Sequence, residues 1–155
     1  MNCLFLDSAS FENGALACVA DGKTTVFTPM DRRITDSQIV PFVGKAMEEA
    51  GWSYKDLTHI ACVTGPGGFT SLRTGIAFSN VLIDQLGLPA TGIHLSDLYQ
   101  ARVEAKDWIW FHSTRIDQCF VRGFGRYATQ WPEPTLVSVD DIVKEIPEGA
   151  HWAGE

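Results

Sequence analysis

The order of predicted elements in this chain runs through once and then starts again. Residues 3–7, 15–20 and 24–28 read as three short strands, the last two joined by the hairpin signal Asp21-Gly22. Ile39, Val43, Ala46, Met47 and Ala50 then recur at helical spacing, with Asp36 or Ser37 as the expected N-cap and Gly51 just past the last turn. Pro41 fits such a helix only in its first turn. A strand over 58–64 leads through Gly65-Pro66-Gly67-Gly68 into a long helix over 69–85 that stops at Gly87. A strand over 88–93 and a helix capped by Ser96 close the series. Strands are predicted again at 108–112, 118–127 and 135–139, then a short helix over 140–146 and the opening of a strand at 150–153. The pattern βββαβα thus occurs once complete and once cut short. It predicts an α/β protein of mixed sheets covered by crossover helices, with an N-terminal lobe over 1–105 and a shortened C-terminal lobe over 106–155.

Charge narrows the function. Nineteen acidic against twelve basic residues leave a net charge of −7, which argues against autonomous binding to a phosphate backbone. Were this chain to serve RNA chemistry, a partner would have to hold the RNA. The first seven residues carry no basic segment, and their apolar run is cut by Asp7, so no signal peptide is expected. No apolar stretch approaches the length of a membrane span. Cys3, Cys18, Cys62 and Cys119 lie far apart in apolar runs and read as buried thiols of a reducing compartment. The expected location is cytoplasmic.

The Gly65-Pro66-Gly67-Gly68 turn has two readings. Glycines between a strand and a helix let backbone N–H groups face an anion at the helix N-terminus; equally, they permit a tight reversal and close packing. No Lys-Ser/Thr follows, so the segment is no P-loop, and Arg73 is expected to pair with a carboxylate or cap carbonyls. The long helix is more telling. Leu72, Ile76, Ser79, Ile83 and Leu86 form one predicted stripe, while Ala77, Phe78, Val81 and Leu82 fill the adjoining faces. A helix so nearly apolar all round must be buried on more than one side. Ile39, Val40, Phe42, Val43 and Met47 of the first helix are also spread wider than one core stripe requires. Together the two helices predict a dimerisation surface, packed against a second pair of helices. Trp108 and Trp110 share one strand face and are expected to fill a small core, rather than to stack RNA bases with Arg115, Arg122 and Arg126. Cys62, inside an apolar strand, is expected to be an inert core thiol.

The segment Thr64-Gly65-Pro66-Gly67-Gly68-Phe69-Thr70-Ser71-Leu72-Arg73-Thr74-Gly75-Ile76-Ala77 closely resembles the T/R-G-P-G-S-F-T-G-L-R-x-G-x-A signature of the TsaB family, also called YeaZ. Asp7-Ser8-Ala9-Ser10 resembles that family's opening D-T-S/A-S, and Gly92-Ile93-His94-Leu95-Ser96-Asp97-Leu98 its G-V-S-S-L-x-A-L. The resemblance covers roughly residues 1–105. It implies the ASKHA fold of actin, Hsp70 and sugar kinases. It further implies a non-catalytic paralogue and partner of TsaD, the transferase that places threonylcarbamoyl on adenosine 37 of tRNA, with the ATPase TsaE in the assembly. On that reading the chain pairs with itself when TsaD is absent, meets tRNA only through the complex and needs no cofactor. Asp7-Ser8 lies where nucleotide-binding members of the superfamily place their first phosphate loop. In the second lobe His112, with Ser113, Thr114 and Arg115 following, stands where TsaB relatives have D-A-R-R. His59, His94, His112 and His151 lack the H-x-x-x-H spacing of the TsaD metal pair, so no metal site is expected. Two alternatives stay open: a nucleotide-binding ASKHA enzyme, and a homodimer with another client.

Overall fold

Val26, Cys18, Leu4 and Ile60 stand in one row across four neighbouring strands, and that buried row lies on the sheet face that the helix Asp36–Glu49 covers. The computed structural model describes residues 1–11, 14–30, 35–113 and 115–155. Its elements run β1 (Asn2–Asp7), β2 (Ala15–Ala20), β3 (Lys23–Pro29), α1 (Asp36–Glu49), β4 (His59–Gly65), α2 (Phe69–Leu86), β5 (Ala90–His94) and α3 (Leu95–Arg102). The series resumes with β6 (Trp108–Ser113), β7 (Gln118–Phe124), β8 (Thr135–Ser138), α4 (Val139–Glu145) and β9 (Trp152–Gly154). The repeated βββαβα order, complete once and shortened once, is therefore what the chain adopts.

Two compact units make up the chain, Met1–Ile93 and His94–Glu155. This division sets α3 with the second unit, whereas the sequence reading placed the lobe boundary between 105 and 106. The first unit holds a five-stranded sheet in the order β3-β2-β1-β4-β5. β1 pairs antiparallel with β2 and parallel with β4, and the β2–β3 register shifts between Cys18 and Val19, where Thr25 of β3 is the extra residue. The alternation along β1 sends Leu4 and Leu6 into a core with Leu16, Cys18, Val26, Ile60 and Cys62. α1 closes that core with Ile39, Val43, Ala46 and Met47, one stripe at helical spacing. Ile39, Val43 and Met47 each contribute about 1.5–3 kcal/mol through burial.

The second unit repeats the arrangement with one strand fewer, in the order β8-β7-β6-β9. β6 pairs antiparallel with β7 and parallel with β9. Ile109, Cys119 and Val121 face α4 and the 3-10 turn Gly125–Thr129, where Ile142, Tyr127 and Trp131 complete a core. The opposite face carries Trp108 stacked on Phe124, with centroids 4.3 Å apart, and Trp110 stacked on His112 at 5.9 Å. Trp108 and Trp110 are buried together as expected, while Trp152 is exposed.

Several helix boundaries differ from expectation for local reasons. The N-cap of α1 is Thr35, whose N–H donates to Gln38 Oε1 at 3.1 Å and whose hydroxyl donates to the same oxygen at 2.8 Å. Asp36 is thereby the first helical residue, and Pro41 lies in the second turn instead of the first. Gly51, with φ of 72°, ends α1 as expected. α3 is capped by His94, whose Nδ1 accepts from the Ser96 N–H at 3.2 Å. Among the described residues no helix is long and apolar enough to cross a membrane.

Candidate functional site

The loop after β1 is organised by Asp7. Its fully buried carboxylate accepts from the N–H groups of Ala9 (3.0 Å) and Ser10 (3.1 Å) and from the Ser10 hydroxyl (2.9 Å). Short polar side chains that bond backbone two and three residues ahead hold such turns. Gly-Pro-Gly-Gly packs directly on this loop. A Cβ on Gly67 would run into the Ala9 backbone, one on Gly75 into the Ser8 hydroxyl, and the Gly68 N–H donates to the Ala9 carbonyl at 3.4 Å. Gly65 has φ of 117°, Pro66 follows it through a cis peptide bond, and Gly68 is the N-cap of α2. The turn therefore serves close packing, the second of its two readings. Ser8 is buried, and its hydroxyl has no hydrogen-bond partner among the described residues.

This contact explains an inversion in α2. The buried residues of α2 are Ser71, Thr74, Gly75 and Ser79, all small, and at Gly75 the helix lies close against the Asp7 loop. The predicted stripe of Leu72, Ile76, Ser79, Ile83 and Leu86 is corrected accordingly: only Ser79 belongs to the deepest face, and the larger members sit partly buried beside it. Glycine at position 75, costly inside a helix, was the available signal.

A groove of about 480 Å³ opens between α1 and α2. Its floor is Ile39 and Thr74, and its walls include Val40, Ala77, Phe78 and Val81. Of the nine residues expected at a partner surface, Ile39, Val43 and Met47 are core side chains of the chain itself. Phe42, Phe78 and Leu82 are half-buried against the same core. Val40 (54% exposed), Ala77 and Val81 (59% exposed) face outward. At the start of α2 Phe69 is 73% exposed, Thr70 is exposed, and the Arg73 guanidinium lies 5.3 Å from the centre of the Phe69 ring. The expected carboxylate partner of Arg73 is absent among the described residues. Sequence reasoning missed one further link, a 2.5 Å hydrogen bond from the Thr74 hydroxyl to Asp36, which ties α1 to α2 across the groove floor.

The second unit's polar groups are largely engaged with one another. Arg122 donates to Ser96 Oγ (2.8 Å) and Asp97 (2.6 Å) and lies over Phe124, while Arg126 lies over Tyr127. Both guanidinium groups thus lie against aromatic rings of the chain itself, and Thr114 lies outside the described residues. His112 is fully buried, and burial holds its imidazole below the usual histidine range, with His94 reinforcing this and Glu155 opposing it. All four cysteines are free and buried, and burial pushes the Cys62 thiol up. No group of three or more His, Cys, Asp or Glu side chains among the described residues is placed to hold a metal ion.

A family model described as TsaD, tRNA N6-adenosine threonylcarbamoyltransferase, matches residues 33–128. The chain is 38% identical over 56 residues to the tRNA N6-adenosine threonylcarbamoyltransferase of Moorella thermoacetica, a match covering 36% of this chain and 16% of that protein. With the Cytophaga hutchinsonii enzyme of the same description it shares 32% identity over 62 residues, covering 40% and 18%. The matched part thus spans less than a fifth of the length of these curated relatives. Among solved structures, YeaZ from Pseudomonas aeruginosa superposes with a TM-score of 0.64 at 20% identity, covering 88% of this chain and 63% of that one. An uncharacterized protein from Pseudomonas aeruginosa with similarity to peptidase YEAZ gives 0.71 at 20% identity, covering 99% and 74%. At that identity the likeness establishes the fold, the YeaZ-like ASKHA architecture with its βββαβα lobes.

Proposed function

The chain belongs to the shared TsaB/TsaD family, and from that premise we propose that it is a TsaB-type subunit, a non-catalytic partner of a TsaD-type threonylcarbamoyltransferase. Its role is to dimerise with that paralogue in the formation of threonylcarbamoyladenosine in tRNA, with a TsaE-type ATPase in the assembly and tRNA held by the complex. The observation that carries this reading is the groove between α1 and α2, whose rim presents Val40, Ala77 and Val81 to solvent on helices that already have a core behind them. Helix faces of this kind bury themselves by packing against other helices. The net charge of −7 supports tRNA contact through a partner. The Asp7 carboxylate supports a binding role, because three donors of its own loop already occupy it.

Co-expression with the TsaD of the same genome, followed by size-exclusion chromatography with light scattering, tests this. A one-to-one complex is expected. Val81→Asp places a charge on the exposed rim and is expected to weaken that complex on the order of 100-fold, with circular dichroism unchanged. A chain that pairs only with itself and ignores the transferase would overturn the pathway assignment and favour a homodimer with another client.

A further inference from the structure

We propose that Arg73 is the specificity-determining residue of the α1/α2 groove, and that the groove takes a helix surface of the paralogous transferase bearing an Asp or Glu carboxylate opposite the guanidinium. This inference rests on the partner reading above.

Among the described residues that line the groove only two are charged, Asp36 and Arg73. Asp36 is committed. Its carboxylate accepts from Thr74 and sits in the first turn of α1, where negative charge offsets the helix dipole. Arg73 is not committed: among the described residues it has the Phe69 ring beneath it and no ion pair. It also lies near the start of α2, whose first turn carries no acidic residue, so the helix dipole and the guanidinium present the same sign. Its N–H donors have no hydrogen-bond partner among the described residues, and they form the fork that matches a carboxylate.

Around this cation the surface is apolar. Val40, Ala77 and Val81 lose water when a partner docks, and a cation enclosed among them without a counter-charge costs far more than it does in the free chain. An occupant lacking the carboxylate is therefore rejected, and one carrying it is selected. A second copy of this chain is the competing occupant, since Asp36 accepts from Thr74 through one oxygen only, and the variants below separate the two.

Isothermal titration of the same-genome transferase against Arg73→Glu, Arg73→Met and Arg73→Lys tests this, with Val81→Asp alongside and light scattering of each variant alone. Relative to wild type, affinity should fall on the order of 100-fold for Arg73→Glu and 10-fold for Arg73→Met, with Arg73→Lys between wild type and Met. Arg73→Met should also lose part of the salt dependence. A transferase variant with its opposing carboxylate changed to lysine should restore binding to Arg73→Glu. If Arg73→Glu binds like wild type while Val81→Asp does not, the groove is the interface and the role of Arg73 is overturned. If Arg73→Glu disrupts only self-association, the occupant is a second copy and the proposal falls. If Val81→Asp is also neutral, or wild type does not bind, the partner reading falls with it.

Discussion

Asp7 and His112 occupy equivalent places in the two units. Leu4 and Leu6 of β1 face the helices of the first unit as Ile109 and Phe111 of β6 face α4 in the second, and the next residue in each strand points the other way and is fully buried. In the first unit that residue is an acceptor that gathers the following loop: two backbone N–H groups and a hydroxyl converge on Asp7. In the second it is an imidazole stacked on Trp110, and the loop beyond β6 is held instead by the Ser113 hydroxyl donating to the Arg115 carbonyl at 2.7 Å. The cores diverge in the same sense. The first is aliphatic under helices of fourteen and eighteen residues, whereas α4 has only seven, and Tyr127, Trp131, Trp108 and Trp110 take up volume that helices would otherwise fill. One strand order tolerates both solutions, so topology here follows the strand pattern and each core is filled by what its cover leaves open.

The aromatic filling gives the largest effect with which to break this comparison. Trp110→Ala removes a fully buried indole and should destabilise by about 4 kcal/mol, against about 3 kcal/mol for Leu4→Ala, read from urea unfolding monitored by far-UV circular dichroism. A smaller loss at Trp110 than at Leu4 would mean that its surroundings collapse and that the aromatic face is loosely filled. Next in size is the close approach of α2 to the Asp7 loop. Alanine normally gains about 1 kcal/mol over glycine inside a helix. Gly75→Ala should instead lose about 2 kcal/mol, because its Cβ meets the Ser8 side chain. Ser8→Gly in the same chain should return much of that loss, and a Gly75→Ala chain as stable as wild type would show that α2 can lift from the loop without cost.

The sequence made the strand and helix order legible because period-two and period-3.6 patterns survive in short windows, and Asp21-Gly22, Gly51 and Gly87 punctuate them unambiguously. The burial of Trp108 beside Trp110 followed from the same alternation. The site was less legible. Hydrophobicity alone cannot say which face of an almost wholly apolar helix meets its own sheet, and in α2 backbone proximity decided it, with Ser71, Thr74 and Gly75 inward and Val81 outward. The Thr74–Asp36 bond spans thirty-eight residues and leaves no local trace. Thr35 displaced Asp36 as the cap because Gln38 stands three residues on to complete the box, a pairing visible in the sequence but outweighed there by the commoner Asp and Ser caps.

The smallest expected effect concerns the imidazole itself. Burial, with His94 nearby, holds the folded His112 below the ordinary histidine value, and Glu155 only partly opposes this. The folded chain therefore keeps His112 neutral while the unfolded chain takes up a proton below about pH 6.5. Across that window the unfolded state binds more protons, so stability rises with pH and falls on acidification, and above it His112 contributes no slope. His94, lowered mainly by burial and further by Arg122, with Asp97 opposing, adds to the same sign. Unfolding free energies from urea titrations at pH values on either side of that window should show the loss at the acidic end, and His112→Gln should reduce it, leaving the part that His94 contributes. An unchanged slope in His112→Gln would place the acid sensitivity elsewhere and dissolve that contrast between the two strand ends.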